Sequence, residues 1–182
     1  MAFLAEVKKG KVPDYRRILI VGNPGIGKTA SMNYYIAMAL RENYPVLIET
    51  RDKRYFIDSG ADDVQVEDVL IGIKLRAMRF DPSVLFFHDH QPGAEPPIID
   101  SGAFTVAPVS PAIVNLKEYS KHVCLELWMP LPKFEEVLAI KSVIRPSMSN
   151  DELQRRCDLV GPILRQVFTP NFDNYMLPGY YH

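Results

Sequence analysis

The chain is poor in cysteine and in excess charge, and it has no long apolar run. Its 182 residues include 2 cysteines, Cys124 and Cys157, which excludes a disulfide-rich secreted scaffold and favours a reducing compartment. The formal net charge is −1, so the overall charge of the protein does not indicate a nucleic acid or a membrane surface as its partner. No stretch is long enough to span a bilayer, and Met1–Gly10 lacks the apolar segment of a signal peptide. We therefore expect an intracellular protein, cytoplasmic or nuclear, without membrane association.

Apolar runs alternate with segments of helical spacing along most of the chain. The predicted strands are Arg17–Val21, Val46–Thr50, Arg54–Asp58, Ser83–Phe87, Phe104–Val109 and Val123–Met129. The predicted helices are a first one ending near Glu42, then Glu67–Phe80, Val114–Tyr119, Phe134–Ile144, one capped by Ser149 or Asn150, and Ile163–Phe168. This order predicts a three-layer α/β/α fold with a mostly parallel sheet. We expect a core domain over residues 1–145, with a lid-like helical segment and a loosely packed tail over 146–182 as part of the same domain.

Residues 22–29 read GNPGIGKT, which is a complete phosphate-binding loop of the Walker A type. The loop follows the apolar run Ile18–Val21 and precedes the helix-like stretch Ala30–Leu40, which is the setting that the motif requires. Its glycines let the backbone approach a phosphate closely, and the amides of the loop and helix start form an anion-binding nest. The predicted nucleotide-binding residues are Gly22, Asn23, Pro24, Gly25, Ile26, Gly27, Lys28, Thr29 and Ala30.

A second motif supplies a carboxylate for a metal ion. The apolar run Val84–Phe87 leads into His88-Asp89, so an acid follows a second buried strand. In phosphate-loop proteins such an Asp and the loop hydroxyl together hold Mg²⁺. We therefore predict Thr29 and Asp89 as metal-site residues, with Mg²⁺ and ATP as cofactors. ATP is preferred to GTP because no guanine-selecting Asn-Lys-x-Asp occurs.

The general base is left open by the sequence. Many ATPases of this layout place Glu directly after the metal-site Asp, but here the next residue is His90. His90, Glu95 and Asp100 are equal candidates for activating or orienting the attacking water. His88 and His90 lie two residues apart, which also suggests a zinc site, although no third ligand is evident.

Two later polar residues are predicted to face the phosphates. Ser110 follows the strand Phe104–Val109, where a hydroxyl can hydrogen-bond a γ-phosphate, and the alternative is a capping role before Pro111. Arg165 begins a late helix and can pair with phosphates through its guanidinium, the alternative being a solvated surface position. Trp128 is predicted to lie in the core. The predicted catalytic set is Lys28, Asp89, His90, Ser110 and Arg165.

The order of these segments resembles the retrotransposon hot spot proteins and the related NTPase region of Crinkler effectors. The resemblance runs from about Arg17 to about Phe168, and its specific parts are Leu127–Leu138 (LWMPLPKFEEVL) and Val160–Phe168 (VGPILRQVF). It implies an AAA-like ATPase of the additional-strand class with strand order 5-1-4-3-2. It also implies a phosphate-binding role for Lys28 and Thr29, and a second-sensor role for Arg165.

The leading functional hypothesis is an ATPase that hydrolyses Mg-ATP slowly and couples its nucleotide state to a partner. The slow rate is expected because Glu is missing after Asp89. The alternatives are a non-hydrolysing, nucleotide-dependent interaction module and a small-molecule or nucleotide kinase. The expected partners are the nucleotide and either another protein or a second copy of the chain. Nucleic acid is not supported by the charge.

Overall fold

The computed structural model describes residues 16–58, 64–68, 73–89, 102–111, 124–170 and 172–175. The strands are β1 (Arg17–Val21), β2 (Val46–Glu49), β3 (Lys53–Ile57), β4 (Val64–Asp68), β5 (Leu85–His88), β6 (Phe104–Val109) and β7 (Leu125–Trp128). The helices are α1 (Lys28–Arg41), α2 (Lys74–Ala77), α3 (Phe134–Ile144), α4 (Asn150–Val160), α5 (Leu164–Val167) and α6 (Phe172–Tyr175). A 3₁₀ turn, Met78–Phe80, follows α2. The predicted helix Val114–Tyr119 lies outside the described residues.

The strands form one mixed sheet of seven, in the order β4-β3-β2-β5-β6-β1-β7. The neighbours β2 and β5, β5 and β6, β6 and β1, and β1 and β7 pair in parallel. β3 pairs antiparallel with β2, and β4 pairs antiparallel with β3. The α/β class and the predominance of parallel pairing are therefore as predicted.

The predicted strand order, 5-1-4-3-2, is wrong as a description of this sheet. That order has five strands, whereas the sheet has seven because β3 and β4 extend its β2 edge. The predicted helix Glu67–Phe80 is also wrong at its start, since residues 64–68 form β4. Pairing with β3 explains the difference, because Val64 and Val66 lie opposite Ile57 and Tyr55 in an antiparallel ladder.

The chain divides into two compact units, one comprising Met1–Val21 and Lys28–Trp128 and the other Gly22–Gly27 and Met129–His182. The sheet belongs to the first unit. On one sheet face, Leu47 and Phe86 pack with Leu75 of α2 in a buried cluster. The helix α1 buries Met32, Ile36 and Ala39, which recur at helical spacing and give it one apolar face. The predicted division at residue 145 stays a prediction.

The second unit contains its own apolar core between its helices. Val137 of α3, Leu153 of α4 and Val167 of α5 are fully buried against one another. The helix α4 begins after Ser149, whose hydroxyl accepts a hydrogen bond of 3.1 Å from the amide of Glu152, as the predicted cap requires. Loose packing is predicted for the tail from Thr169 onward, but Phe172 is only 1% exposed.

Trp128 is 61% exposed, so its predicted core position is wrong. It ends β7, which is the terminal strand of the sheet. Among the described residues, no helix combines the length and the apolar character that a bilayer crossing needs.

Candidate functional site

The glycine-rich loop lies in the predicted strand–loop–helix setting, between Val21 at the end of β1 and Lys28 at the start of α1. Its burial is uneven. Gly22 and Ile26 are buried, Gly25, Gly27 and Lys28 are half-buried, and Asn23, Pro24, Thr29 and Ala30 are exposed. The side chain of Ile26 is thus buried in the middle of the loop, while the polar residues Asn23 and Thr29 are exposed.

Two loop glycines adopt a backbone conformation that other residues rarely take. Gly25 has φ 81° and Gly27 has φ 104°, both in the left-handed range. A side chain at such a φ costs about 1–2 kcal/mol because Cβ collides with the neighbouring carbonyl oxygen. Glycines of the motif therefore stand at positions where the backbone has positive φ, which glycine adopts without strain.

The late arginine lies directly against this loop. The amide of Arg165 donates a hydrogen bond of 3.0 Å to the carbonyl oxygen of Gly25. A Cβ placed on Gly25 would come within 2.9 Å of Cβ of Arg165 and within 3.1 Å of Cγ2 of Ile163. Arg165 is exposed, and within the described part of the chain its guanidinium makes no hydrogen bond or ion pair. The backbone of Arg165 is therefore bonded to the loop, while the predicted pairing of its guanidinium with phosphates stays a prediction.

A buried arginine holds the segment that carries Arg165. The Nη1 atom of Arg156 donates to the carbonyl oxygens of Val167 and Thr169, at 3.1 and 3.0 Å. Its guanidinium also lies 4.6 Å from the ring centre of Phe172, within cation–π range. Sequence reasoning missed this residue, because α4 alone reads as an ordinary charged helix and the partners of Arg156 come later in the chain.

The predicted metal-site residues meet in the first unit. The hydroxyl Oγ1 of Thr29 donates a hydrogen bond of 3.3 Å to Oδ1 of Asp89. Thr29 lies in the first turn of α1, and Asp89 follows the last residue of β5. These oxygens are 60 residues apart in sequence, so their meeting depends on the fold and not on local structure.

Ser110 follows β6 at the sheet edge where the parallel strands β1, β5 and β6 end. Val109 lies opposite Val21 in the register of β6 with β1. The Oγ atom of Ser110 is buried and has no hydrogen-bond partner among the residues that the structure describes. A buried hydroxyl without a partner is costly and is expected to find one in water or in a ligand.

The remaining base candidates, His90, Glu95 and Asp100, lie outside the described residues. Within residues 16–58, 64–68, 73–89, 102–111, 124–170 and 172–175, no group of three or more His, Cys, Asp or Glu side chains could hold a metal by itself. A magnesium ion on a nucleotide does not require such a cage, because water and phosphate oxygens complete its coordination.

Sequence reasoning also missed a buried charged group around Glu49, which we call the Glu49 cluster. Its members are Glu49, Arg54, Glu67, Arg79 and His88. Four of them are almost fully buried, with exposed fractions of 5% for Glu49, 3% for Arg54, 6% for Arg79 and 6% for His88. The sequence signal for this cluster is an acid, Glu49, at the end of the apolar run of β2, followed soon after by a basic residue. This pattern is too short to be distinguished from that of a surface turn.

Glu49 is the centre of this cluster. Its Oε2 atom accepts hydrogen bonds from Nε of Arg54, at 2.5 Å, and from Nη2 of Arg79, and its Oε1 atom lies 3.2 Å from Nδ1 of His88. Burial disfavours the carboxylate and acts to raise its pKa. The hydrogen bonds from His88 and Arg79, the charge of Arg79 and the hydrogen bond from Arg54 outweigh burial and lower the pKa of Glu49 to about 2. Glu49 is therefore ionised throughout the physiological range.

The chain was compared with models of protein families and with curated proteins, and neither comparison found a match.

Proposed function

We propose that the chain is a P-loop nucleoside triphosphatase that binds Mg-ATP and hydrolyses it slowly, in order to control an interaction with a partner. The observation that carries the proposal is the GNPGIGKT loop between β1 and α1 together with the contact of Thr29 with Asp89. We further propose that it is an AAA-like protein related to the retrotransposon hot spot and Crinkler NTPases, on the resemblance described above.

The loop residues would bind the phosphates through backbone amides. Positive φ at Gly25 and Gly27 supports this role, because left-handed residues are typical of the loops in which backbone amides form an anion-binding nest. Lys28 would add a positive charge toward the β- and γ-phosphates, and the start of α1 adds the partial positive charge of a helix dipole. In this proposal, backbone amides hydrogen-bond the phosphate oxygens, and Lys28 supplies the positive charge that pairs with them.

Thr29 and Asp89 would hold the magnesium ion of the nucleotide. Both side chains offer oxygen atoms, which Mg²⁺ prefers, and their contact at 3.3 Å supports a shared role. When bound, the metal neutralises charge that develops on the transferred phosphoryl group. Asp89 supplies negative charge at this position, and Thr29 ties it to the first turn of α1.

Arg165 and Ser110 would act on the γ-phosphate. The backbone of Arg165 is bonded to the loop at Gly25, which supports a role for its guanidinium in pairing with phosphate oxygens. Ser110 has a buried hydroxyl without a partner in the described part of the chain, which suits a hydrogen bond to phosphate or to an ordered water. Their roles are binding and orientation; neither is proposed as the base.

The arrangement of the parallel strands supports the AAA-like proposal. Taken without β3 and β4, they run across the sheet as β7-β1-β6-β5-β2. This places β6 between the strand that leads into the loop and the strand that leads into Asp89. Ligands of parallel sheets bind beyond the carboxyl ends of the strands, where Asp89 and Ser110 lie.

A second candidate function is nucleotide binding without turnover. It is favoured by His90, which stands where many ATPases of this layout have a catalytic Glu. The chain would then respond to bound ATP as a switch, and its partner would read the bound state. The kinase hypothesis has no comparable observation in its favour.

The test compares wild type with Lys28→Ala and with Lys74→Ala as a matched control. Lys74 is an exposed lysine at the start of a different helix, α2, so its substitution makes the same chemical change away from the loop. ATP binding is measured by calorimetry with Mg²⁺ present, and phosphate release is measured under the same conditions. We expect Lys28→Ala to lower phosphate release at least about a hundredfold and Lys74→Ala to leave it unchanged.

The outcomes separate the two candidate functions. Tight ATP binding with phosphate release that depends on Lys28 supports the triphosphatase. Tight binding that depends on Lys28 but without measurable release selects the switch. Absence of ATP binding by folded wild-type protein overturns both.

A further inference from the structure

The carboxyl end of β5 is held by two other elements. His88, the last residue of β5, contacts Glu49 and lies with its ring 5.7 Å from that of Phe86. Asp89, which directly follows β5, accepts a hydrogen bond from Thr29 of α1. The strand end is therefore held by β2 through Glu49 and by α1 through Thr29.

Glu49 is bonded to this strand end by backbone as well as by side chain. Its carbonyl oxygen accepts a hydrogen bond of 2.9 Å from the amide of Asp89, and its carboxylate lies 3.2 Å from Nδ1 of His88. In the parallel register of β2 with β5, Glu49 and His88 are direct neighbours. Glu49 thus contacts both His88, which ends β5, and Asp89, which follows it and is the proposed metal-site acid.

The Glu49 carboxylate is itself fixed by the two arginines. Arg54 comes from β3 on the far side of β2, and Arg79 comes from the 3₁₀ turn after α2. Arg79 also stacks its guanidinium 5.4 Å from the ring centre of Phe86, which belongs to β5. Removing one partner of a buried ion pair leaves an uncompensated charge, so displacing Glu49 from these cations is strongly unfavourable. The carboxylate has little freedom to follow a movement of β5, and it resists such a movement.

We propose that Glu49 is a positioning residue for Asp89. It holds the end of β5 through its contacts with His88 and with the Asp89 amide, and so keeps the Asp89 carboxylate at Thr29, without itself touching metal or nucleotide. The inference rests on the proposed function, because Asp89 and Thr29 are metal-site residues only there. Groups that orient metal ligands commonly change metal affinity 10–100-fold when removed, which sets the effect to expect.

The test uses Glu49→Gln with Glu67→Gln as its matched control. Glu67 bonds the same Arg54, at 3.2 Å, so its substitution removes the same charge from the same cluster. Its described bonds are to Arg54 and to the amide of Arg76, neither of which belongs to β5. For both variants the Mg²⁺ concentration that gives half-maximal ATP binding is measured, together with ATP affinity in the absence of Mg²⁺. We expect Glu49→Gln to raise the Mg²⁺ requirement at least about tenfold without changing metal-free ATP affinity, and Glu67→Gln to change neither.

A second readout does not depend on nucleotide. Hydrogen exchange of the Asp89 amide reports its bond to the Glu49 carbonyl, and we expect it to accelerate in Glu49→Gln and to stay as in wild type in Glu67→Gln. If Glu49→Gln does not fold, the double variant Glu49→Gln/Arg79→Gln restores the charge balance and takes its place in both measurements.

The outcomes distinguish this inference from the function on which it rests. If wild type binds ATP with a Mg²⁺ requirement that Glu49→Gln and Glu67→Gln leave equally unchanged, the positioning role is overturned and the triphosphatase proposal stands. The positioning role is also overturned if both variants raise the Mg²⁺ requirement equally, because the effect then comes from the lost charge of the Glu49 cluster and not from the contacts of Glu49 with His88 and Asp89. If wild-type protein binds no ATP, the proposed function fails, and the positioning role fails with it even where the Asp89 amide responds to Glu49.

Discussion

Substitution of Gly25 by Ala tests the junction between the loop and the Arg165 segment. At φ 81° an Ala residue costs about 1–2 kcal/mol on backbone grounds alone. The new Cβ would also lie 2.9 Å from Cβ of Arg165 and 3.1 Å from Cγ2 of Ile163, both near the backbone and unable to swing away. We therefore expect a loss of about 2–3 kcal/mol in the free energy of unfolding, measured in urea. The hydrogen bond from the Arg165 amide to Gly25 should weaken, so that this amide exchanges faster.

Gly161→Ala is the control for the backbone term. Gly161 has φ 74°, so Ala is strained there as well, but a Cβ added at Gly161 would meet no atom within 4 Å. Gly161 also has ψ 175°, in a region essentially confined to glycine, so the exchange of the Arg165 amide, and not the difference in stability, isolates the contact with Arg165 and Ile163. We expect only Gly25→Ala to accelerate exchange of the Arg165 amide and to weaken ATP binding. Unchanged exchange of the Arg165 amide in Gly25→Ala would refute the contact as a constraint on the loop.

Three further perturbations test other parts of the account. Asp89→Asn should raise the Mg²⁺ concentration for half-maximal ATP binding at least about tenfold, and an unchanged requirement in the titration contradicts its metal role. The pKa of Glu49 is lowered from 4.5 to about 2, so its ionised form contributes about 3 kcal/mol of stability above pH 4.5, which is lost as the pH falls toward 2. Urea unfolding across this pH range should show that loss in wild type and not in Glu49→Gln, and parallel pH profiles would count against it. Arg156→Met should cost about 3 kcal/mol of unfolding free energy, because it leaves the Val167 and Thr169 carbonyl oxygens without their donor, and a cost below about 1 kcal/mol would contradict that interpretation.

The elements that local chemistry determines could be predicted from the sequence. The predicted bounds of Arg17–Val21, Phe104–Val109 and Phe134–Ile144 are those of β1, β6 and α3. In each case an apolar run or a helical period lies between clear breaks, so the signal is contained within the segment. The loop setting was predictable for the same reason, since GNPGIGKT specifies its own turn. Asp89 could be singled out because an acid that follows a buried strand becomes a candidate metal-site residue when a phosphate-binding loop precedes it in the sequence.

The features that depend on distant partners could not be predicted. The strand β4 forms because its residues pair with the edge of β3. Val64 and Val66 are exposed in this strand, so burial of apolar residues gives no signal for it in the sequence. Glu49 gives no sign in sequence that Arg79, 30 residues later, will share its burial. Trp128 looked like a core residue because apolar residues surround it in the chain, but β7 is a terminal strand and leaves the indole exposed.

The most direct test of the account is calorimetry of wild-type protein with ATP, ADP and AMP, each with and without Mg²⁺. A loop that binds the β- and γ-phosphates, with Thr29 and Asp89 at the metal, predicts that ATP binds more tightly than ADP and that AMP binds barely or not at all. It also predicts that Mg²⁺ strengthens ATP binding. No heat with ATP on folded protein, or equal affinity for all three nucleotides regardless of Mg²⁺, would contradict it.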